Sequence, residues 1–327
     1  MSASHDFTPL SHQGVHSPLP EESSKEFQSF LGRQKKKTES YPLLAEDLTV
    51  KIGDPAAITQ NERDQVLQNI SDYSFSFYHW QPHDTAPQRG LGADQSELLF
   101  SQFAAQLGAI QRDDHLCAKN GISRIEPVEA PSPEGDLDPR SRFIPYSRRP
   151  IGPHTDGYYQ ARSIRSILLH CVRASTDSGE NFFIDHELLF YLLYRQNPDW
   201  ARALSAHDAF TVPEDDLPEG DPRRSSRARF TGPVFAFEKG GIFMRYSNRP
   251  KNILWKTDPV SVAALSGLKE LIAEIRKPGS SLSRYLVSGR LEDGMGVVAR
   301  NVIHGRSSFS GERMMLRIRS FDDIALP

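Results

Sequence analysis

Short runs of β-forming residues, separated by turn signals, fill the chain after Phe143 and limit the folds that it can adopt. Strands and helices do not alternate regularly there, which argues against a Rossmann or TIM-barrel fold. The pattern favours an α+β protein that is mainly β, with a sandwich or jelly roll decorated by helices. The runs are SIRSILLHCVR (163–173), NFFID (181–185), PVFAFEKGGIFMRY (233–246), GMGVVARNVI (294–303) and RMMLRIRSF (313–321).

The first 40 residues have a different texture, because they are polar and rich in Ser, Pro and charge. We predict a mostly disordered arm over residues 1–40, with at most a short helix around 22–34. A chain of 327 residues can form one large domain or two smaller ones, and we expect one domain over 41–327. Amphipathic patterns predict helices over 58–70, 96–110 and 261–277.

Several functional classes are excluded by what the sequence lacks. No apolar run is long enough for a membrane span, and no secretory signal is visible at the N-terminus. Two cysteines without a CxxC pattern predict neither a disulfide framework nor a zinc site, so we expect a cytoplasmic protein. The sequence contains no P-loop, no GxSxG and no HExxH motif.

Positive charge is concentrated in the last third of the chain. The net charge of the whole sequence is −3, yet residues 223–327 hold 19 basic and 9 acidic side chains. A solvated basic face is one explanation, and recognition of an anionic ligand is the other. Nucleic acid is not the expected partner, because the chain is acidic as a whole and carries no nucleic-acid-binding motif.

The pair His154 and Asp156 is the first candidate for chemistry. Residues at positions i and i+2 of a strand point to the same side, so both side chains can reach one metal ion. His304 is the best third ligand, at the end of an apolar, strand-like run. Two imidazoles and one carboxylate form the facial triad that is typical of non-heme Fe(II) oxygenases.

Three arginines follow His304 in the run RMMLRIR. Arg313, Arg317 and Arg319 alternate with apolar residues, so on a strand they share one side. Periodicity alone permits two arrangements: the arginines lie in solvent, or they face an anion inside the protein. The spacing of nine residues between His304 and Arg313 favours the second arrangement, because a short loop and one strand return the arginine to the metal.

These motifs resemble the TauD/TfdA family of Fe(II)- and 2-oxoglutarate-dependent dioxygenases, which includes taurine dioxygenase and γ-butyrobetaine hydroxylase. The resemblance covers about half of the chain and implies a double-stranded β-helix, the cupin-like jelly roll of that family. The matching segments are HTDGYY (154–159), LLHCVRASTDSGENFFID (168–185), NVIHGRSSF (301–309) and RMMLR (313–317).

The resemblance also implies roles for single residues. His154, Asp156 and His304 match the iron ligands, and Arg313 matches the arginine that binds the far carboxylate of 2-oxoglutarate. Asn181 stands where taurine dioxygenase has a threonine that also contacts 2-oxoglutarate, which is a departure from the pattern. The resemblance implies a second arginine, Arg317, at the substrate's anionic group. Tyr158 and Arg162 are further substrate candidates from their position after the metal pair alone, and a solvated side chain is the alternative for Arg162.

The implied reaction uses Fe(II), O₂ and 2-oxoglutarate to hydroxylate a C–H bond of a small anionic or zwitterionic substrate, releasing succinate and CO₂. Desaturation at the same centre is an alternative, and a jelly-roll binding protein without catalysis is another. Asp156 argues against a halogenase, whose site lacks a coordinating carboxylate. A homo-oligomer is possible, since dimers are common in this family.

Two further residues have structural interpretations. We expect His170 to be a core histidine rather than a ligand, because it lies within an apolar run. Asp185 follows the run NFFI and is expected to cap the next helix.

Overall fold

The structure is a computed structural model that describes residues 19–41, 44–81, 92–114, 118, 120–128, 140, 143–214, 227–249 and 252–324. Two β-sheets face each other and form the predicted jelly roll, with helices packed against them. The expected α+β class, with a jelly roll decorated by helices, is therefore confirmed.

The larger sheet has six strands. Its first two strands run parallel, and all of its other pairings are antiparallel. In spatial order they are β1 (Thr49–Ile52), β2 (Phe75–Trp80), β14 (Met295–Arg300), β5 (Ser166–Arg173), β17 (Met314–Ser320) and β3 (Ile122–Ile125).

The smaller sheet has four antiparallel strands and faces the larger one across an aromatic core. Phe183 lies 5.7 Å from Phe75 and 5.5 Å from Phe77, measured between ring centroids. Because Phe183 belongs to one sheet and its two partners to the other, these contacts bind the sheets together. The order is β13 (Val287–Gly289), β7 (Asn181–Ile184), β15 (Ile303–Arg306) and β4 (Ile151–His154).

Shorter strands and six helices complete the described parts of the chain. A turn at Lys239 and Gly240 joins the two strands of a hairpin, and both residues have positive φ angles, 48° and 74°. The remaining strands are β6 (Asp177–Ser178), β8 (Phe210–Val212), β9 (Phe230–Gly232), β10 (Phe235–Glu238), β11 (Gly241–Met244), β12 (Leu254–Trp255) and β16 (Phe309–Ser310). The helices are α1 (Lys25–Glu39), α2 (Gln60–Tyr73), α3 (Ala93–Gln106), α4 (His186–Gln196), α5 (Pro198–Leu204) and α6 (Pro259–Arg276).

The outer face of the larger sheet packs against α2 and α3 and forms a second apolar core. His170 lies in this core, with its ring 3.8 Å from that of Trp80, and is 2% exposed. Burial lowers the pKa of His170 to about 3, so it is neutral. The prediction of a core histidine is confirmed, as are the helices expected near 58–70, 96–110 and 261–277.

The short helix expected around 22–34 is present as α1 (Lys25–Glu39), so the arm is helical rather than disordered over residues 25–39. Helix α1 begins after Ser24, whose hydroxyl accepts a hydrogen bond from the backbone N–H of Phe27, and it buries Phe27 and Phe30 in the main core. Lys37 pairs with the fully buried Asp185 at 2.7 Å. Tertiary contacts therefore stabilise a helix whose own composition is largely polar. Residues 1–18 lie outside the described ranges.

Asp185, the partner of Lys37, also caps helix α4, as predicted from the sequence. The Asp185 side chain accepts hydrogen bonds from the backbone N–H groups of Glu187 and Leu188 at the start of α4.

Among the helices described, none is both long and apolar enough to cross a membrane.

Candidate active site

His154, the last residue of β4, lies opposite His304 of β15. His154 and His304 are register partners, and their ring centroids are 4.3 Å apart. Asp156 follows, with Oδ1 at 3.6 Å from Nε2 of His154. Potential ligand atoms of all three residues lie within 4.8 Å of one another. The structure thus brings together the three residues that were predicted to bind iron.

The carboxylate reaches this cluster from a turn rather than from a strand, which differs from the prediction. Strand β4 ends at His154, and Asp156 lies two residues beyond it. Its backbone is held by Asn301, whose Oδ1 accepts from the N–H of Asp156 and whose Nδ2 donates to the C=O of Asp156, both at 2.8 Å. A second donation, to the C=O of Ile164 at 2.9 Å, fixes the other end of the turn.

Thr155, which lies between His154 and Asp156, is fully buried. Its N–H donates to the carbonyl of Tyr246 at 2.8 Å, and its Oγ1 accepts from the N–H of Tyr246 at 2.9 Å. Gly157 then turns the chain at φ 63°, where an added Cβ would lie 2.5 Å from Ile164. These backbone contacts fix the position of the Asp156 carboxylate.

Both imidazoles present the same nitrogen to the centre of the cluster. Nδ1 of His154 donates to the carbonyl of Gly152 at 3.0 Å, and Nδ1 of His304 donates to that of Val302 at 3.0 Å. A carbonyl only accepts, so each ring carries its proton on Nδ1 and offers the lone pair of Nε2. This is the arrangement in which protein imidazoles bind metal ions.

The charges of the cluster suit a divalent metal. Burial would raise the pKa of Asp156, but the positive charge of Arg317 lowers it well below its usual range. The Arg317 Nη1 lies 3.3 Å from Oδ2 of Asp156. Burial, followed by the neighbouring His154, lowers the pKa of His304 to about 4. One carboxylate and two neutral imidazoles are a donor set that fits Fe(II).

The arginines of β17 point inward, which excludes the arrangement with all of them in solvent. Met315 lies in the core between the sheets, whereas Leu316 and Ile318 lie in the outer core. Arg317 and Arg319 therefore face the triad side of the sheet, and Arg319 is only 5% exposed. Arg313 precedes the strand and is equally buried, at 6%.

Arg319 forms a buried network behind Arg317. It pairs with Asp113, and its Nη1 lies 3.3 Å from the hydroxyl of Tyr159. The Nε atoms of Arg317 and Arg319 are both buried and have no hydrogen-bond partner within the described ranges. Asp113 and Tyr159 were not among the predicted site residues: Tyr159 ends the segment HTDGYY, whereas Asp113 lies in no motif of the sequence analysis.

The two residues expected at 2-oxoglutarate offer unused donors. Arg313 makes no ion pair or hydrogen bond with any residue that the structure describes. The Nδ2 atom of Asn181 is also buried without a partner in the same ranges. Buried donors without acceptors are rare, because each loses its hydrogen bonds to water. These two side chains fit a carboxylate ligand.

Arg162 and Tyr158 have no recorded contact with the triad in the described ranges. The guanidinium of Arg162 lies 3.9 Å from the ring centroid of Phe321 and donates to Gln111. Because Phe321 and Gln111 hold Arg162, its position gives no support to the predicted contact with the substrate. Tyr158 is 8% exposed and packs edge-on against Tyr159 at 5.3 Å.

Comparisons with known proteins agree with this geometry. The family described as "Taurine catabolism dioxygenase TauD, TfdA family" matches residues 88–319. A comparison with curated protein sequences gave no significant match.

Among solved structures, an asparagine oxygenase with Fe(II), (2S,3S)-3-hydroxyasparagine and succinate is 16% identical, with a TM-score of 0.55. The non-heme iron oxygenase OrfP with Fe, succinate and (3S)-hydroxy-L-Arg is 14% identical, with a TM-score of 0.58. Each alignment covers 90% of this chain and 91% of the other. At these identities the likeness shows a common fold.

Proposed function

The chain belongs to the taurine catabolism dioxygenase TauD, TfdA family, and from this premise we propose that it hydroxylates a small zwitterion of the amino-acid class. The protein is an Fe(II)- and 2-oxoglutarate-dependent oxygenase. Bound iron, with 2-oxoglutarate and O₂, supplies the oxidant for a C–H bond while 2-oxoglutarate becomes succinate and CO₂. What the protein itself contributes is ligand geometry, orientation and exclusion of water.

In this proposal His154, Asp156 and His304 hold the iron through two Nε2 atoms and one carboxylate oxygen. Asn301 and Thr155 act indirectly, since they fix the turn that carries the carboxylate. Arg313 binds the far carboxylate of 2-oxoglutarate, and Asn181 donates its free amide hydrogens to the same group. A guanidinium and a carboxylate form strong, oriented hydrogen bonds, which would set the direction of the co-substrate.

One observation carries the substrate proposal. Arg317 lies 3.3 Å from a ligand carboxylate and still keeps a buried Nε atom without a partner among the described residues. A substrate carboxylate beside Arg317 would accept a hydrogen bond from this Nε and would place the neighbouring substrate carbons close to the iron. The amino acid products bound to the asparagine oxygenase and OrfP structures support the same class of substrate.

The experiment is a turnover panel of L-amino acids and their carboxamides with Fe(II), 2-oxoglutarate and ascorbate. Succinate release and product mass are measured for the native protein, Arg317→Gln and the control Arg173→Gln, an arginine whose side chain is 52% exposed. We expect the native enzyme and the control to prefer a free carboxylate. Arg317→Gln should raise KM for the acid by about 10- to 100-fold, the value of a charged hydrogen bond, and leave the carboxamide unchanged.

Iron affinity is measured separately for Arg317→Gln, because this arginine also contacts Asp156. The substrate proposal fails if no amino acid stimulates succinate release, or if Arg317→Gln keeps the native preference for the acid. Product mass separates the two reactions of the centre. Hydroxylation adds one oxygen atom, whereas desaturation removes two hydrogen atoms.

A further inference from the structure

A second buried arginine lies beside Arg313. The Cζ of Arg306 is 4.4 Å and that of Arg313 is 5.4 Å from the ring centroid of Phe309. Arg306 is 5% and Arg313 is 6% exposed. Two guanidiniums therefore share one aromatic ring in a place with little access to water.

No acidic side chain of the described residues neutralises this pair. Arg306 donates through Nη2 to the backbone carbonyls of Ser147 and Arg149, at 2.8 and 2.7 Å, and its Nε is buried without a partner in those ranges. Arg317 and Arg319, by contrast, do have carboxylate partners, which are Asp156 and Asp113. Two like charges buried together are unfavourable unless an anion joins them.

Strand β15 places Arg306 on the same face as His304. His304 and Arg306 are two residues apart on β15, so their side chains leave the same face about 7 Å apart. Asn181 is the register partner of Arg306 on β7, and opposite residues of an antiparallel pair share a face. The separation is close to the length of a five-carbon chain that chelates the iron at one end.

We propose that Arg306 joins Arg313 and Asn181 in binding the far carboxylate of 2-oxoglutarate, so that this co-substrate is held by two guanidiniums. The inference rests on the proposed function, which assigns only Arg313 and Asn181 to that carboxylate. The two carbonyls that accept from Nη2 hold Arg306 in place, and its Nε edge remains available to the ligand.

The proposal predicts a specific kind of loss. Removing the charge of Arg306 should weaken binding of a co-substrate that has a far carboxylate, and should leave a co-substrate without one unaffected. 2-Oxovalerate is the matched probe, because it keeps the five-carbon chain and the iron-chelating end but carries a methyl group in place of that carboxylate.

The test is anaerobic calorimetric titration of the Fe(II)-loaded protein with 2-oxoglutarate and with 2-oxovalerate. Arg306→Gln keeps a donor for the two carbonyls and loses the charge, and Arg173→Gln is the exposed control. We expect Arg306→Gln to raise the Kd of 2-oxoglutarate by about 10- to 100-fold and that of 2-oxovalerate by less than about 2-fold. Arg306→Lys, which keeps the charge but not the planar fork, should give an intermediate loss for 2-oxoglutarate alone.

Two results overturn the proposal. In the first, Arg306→Gln binds 2-oxoglutarate with the native Kd. In the second, its Kd values for 2-oxoglutarate and 2-oxovalerate rise by the same factor, which is the result expected of a purely structural role. If Arg306→Gln does not fold, the same two outcomes for Arg306→Lys decide the matter. A native Fe(II)-protein that binds no 2-oxoglutarate would instead remove the assignment of Arg313 and Asn181, on which this inference depends.

Discussion

The two faces of the larger sheet use the same strands for different purposes. On β17, Leu316 and Ile318 pack into the outer core against α2 and α3, while Arg317 and Arg319 face the metal-ligand candidates. On β5, His170 is a neutral part of the outer core. Alternating side chains of β17 therefore pack into an apolar core on one face and point toward the metal-ligand candidates on the other. Substitutions on the two faces should have separable effects.

The largest effect should come from a histidine on the inner side. His154→Ala removes one of three metal ligands, so iron binding and succinate release should fall below detection while the melting temperature of the apo-protein stays near the native value. His170→Phe on the outer face is the matched control and should keep iron binding. Iron titration and calorimetry measure both quantities. Retained iron-dependent turnover in His154→Ala would contradict the ligand assignment.

A leucine on the outer face should show the opposite pattern. Leu316→Ala leaves a cavity in a fully buried position and should lower the free energy of unfolding by about 2–5 kcal/mol. Turnover per folded molecule should stay within about two-fold of the native value, because Leu316 faces away from the triad. Denaturant unfolding and active-site titration test this. Leu254→Ala, at a residue that is 59% exposed, is the control and should cost less than about 0.5 kcal/mol.

The smallest expected effect is a pH dependence that arises on the outer face. Burial lowers the pKa of folded His170 to about 3 from the 6.5 of an exposed histidine. Below pH 6.5 the unfolded chain binds a proton that the folded chain does not, so stability falls as the pH falls toward 3. Between pH 7 and pH 5 this residue should account for about 2 kcal/mol of lost stability.

His170→Phe should remove this contribution of about 2 kcal/mol from the pH dependence of the free energy of unfolding. Urea unfolding of the native protein and of this variant at a series of pH values is the measurement. Identical pH slopes for the two proteins would show that His170 has the same pKa in the folded and unfolded states, against this assignment.

The clustering of His154, Asp156 and His304 could be predicted from the sequence, because all three belong to short motifs. The sequence did not identify Asn301 as the residue that holds Asp156, since this contact joins positions 145 residues apart. A polar amide within the largely apolar run GMGVVARNVI was the available signal.

The direction of the arginines could not be settled from periodicity. Alternation on β17 showed only that Arg317 and Arg319 share a side, and the apolar residues between them could equally have faced the main core. The answer depends on α2 and α3, which cover the other face of the sheet. The single-domain boundary, the homo-oligomer and the lack of nucleic-acid partners stay predictions.

The docking of α1 determines where an expression clone of this protein can begin. A start at residue 41 would follow the composition of the sequence, but it would delete Phe27 and Phe30 and leave their aromatic neighbours Phe190 and Phe237 open to water. It would also remove the ammonium group of Lys37 from Asp185, a carboxylate with no exposed surface. Such a shortened chain would be prone to aggregation, and its failure in an assay would say nothing about the iron site. Clones should begin before Ser24.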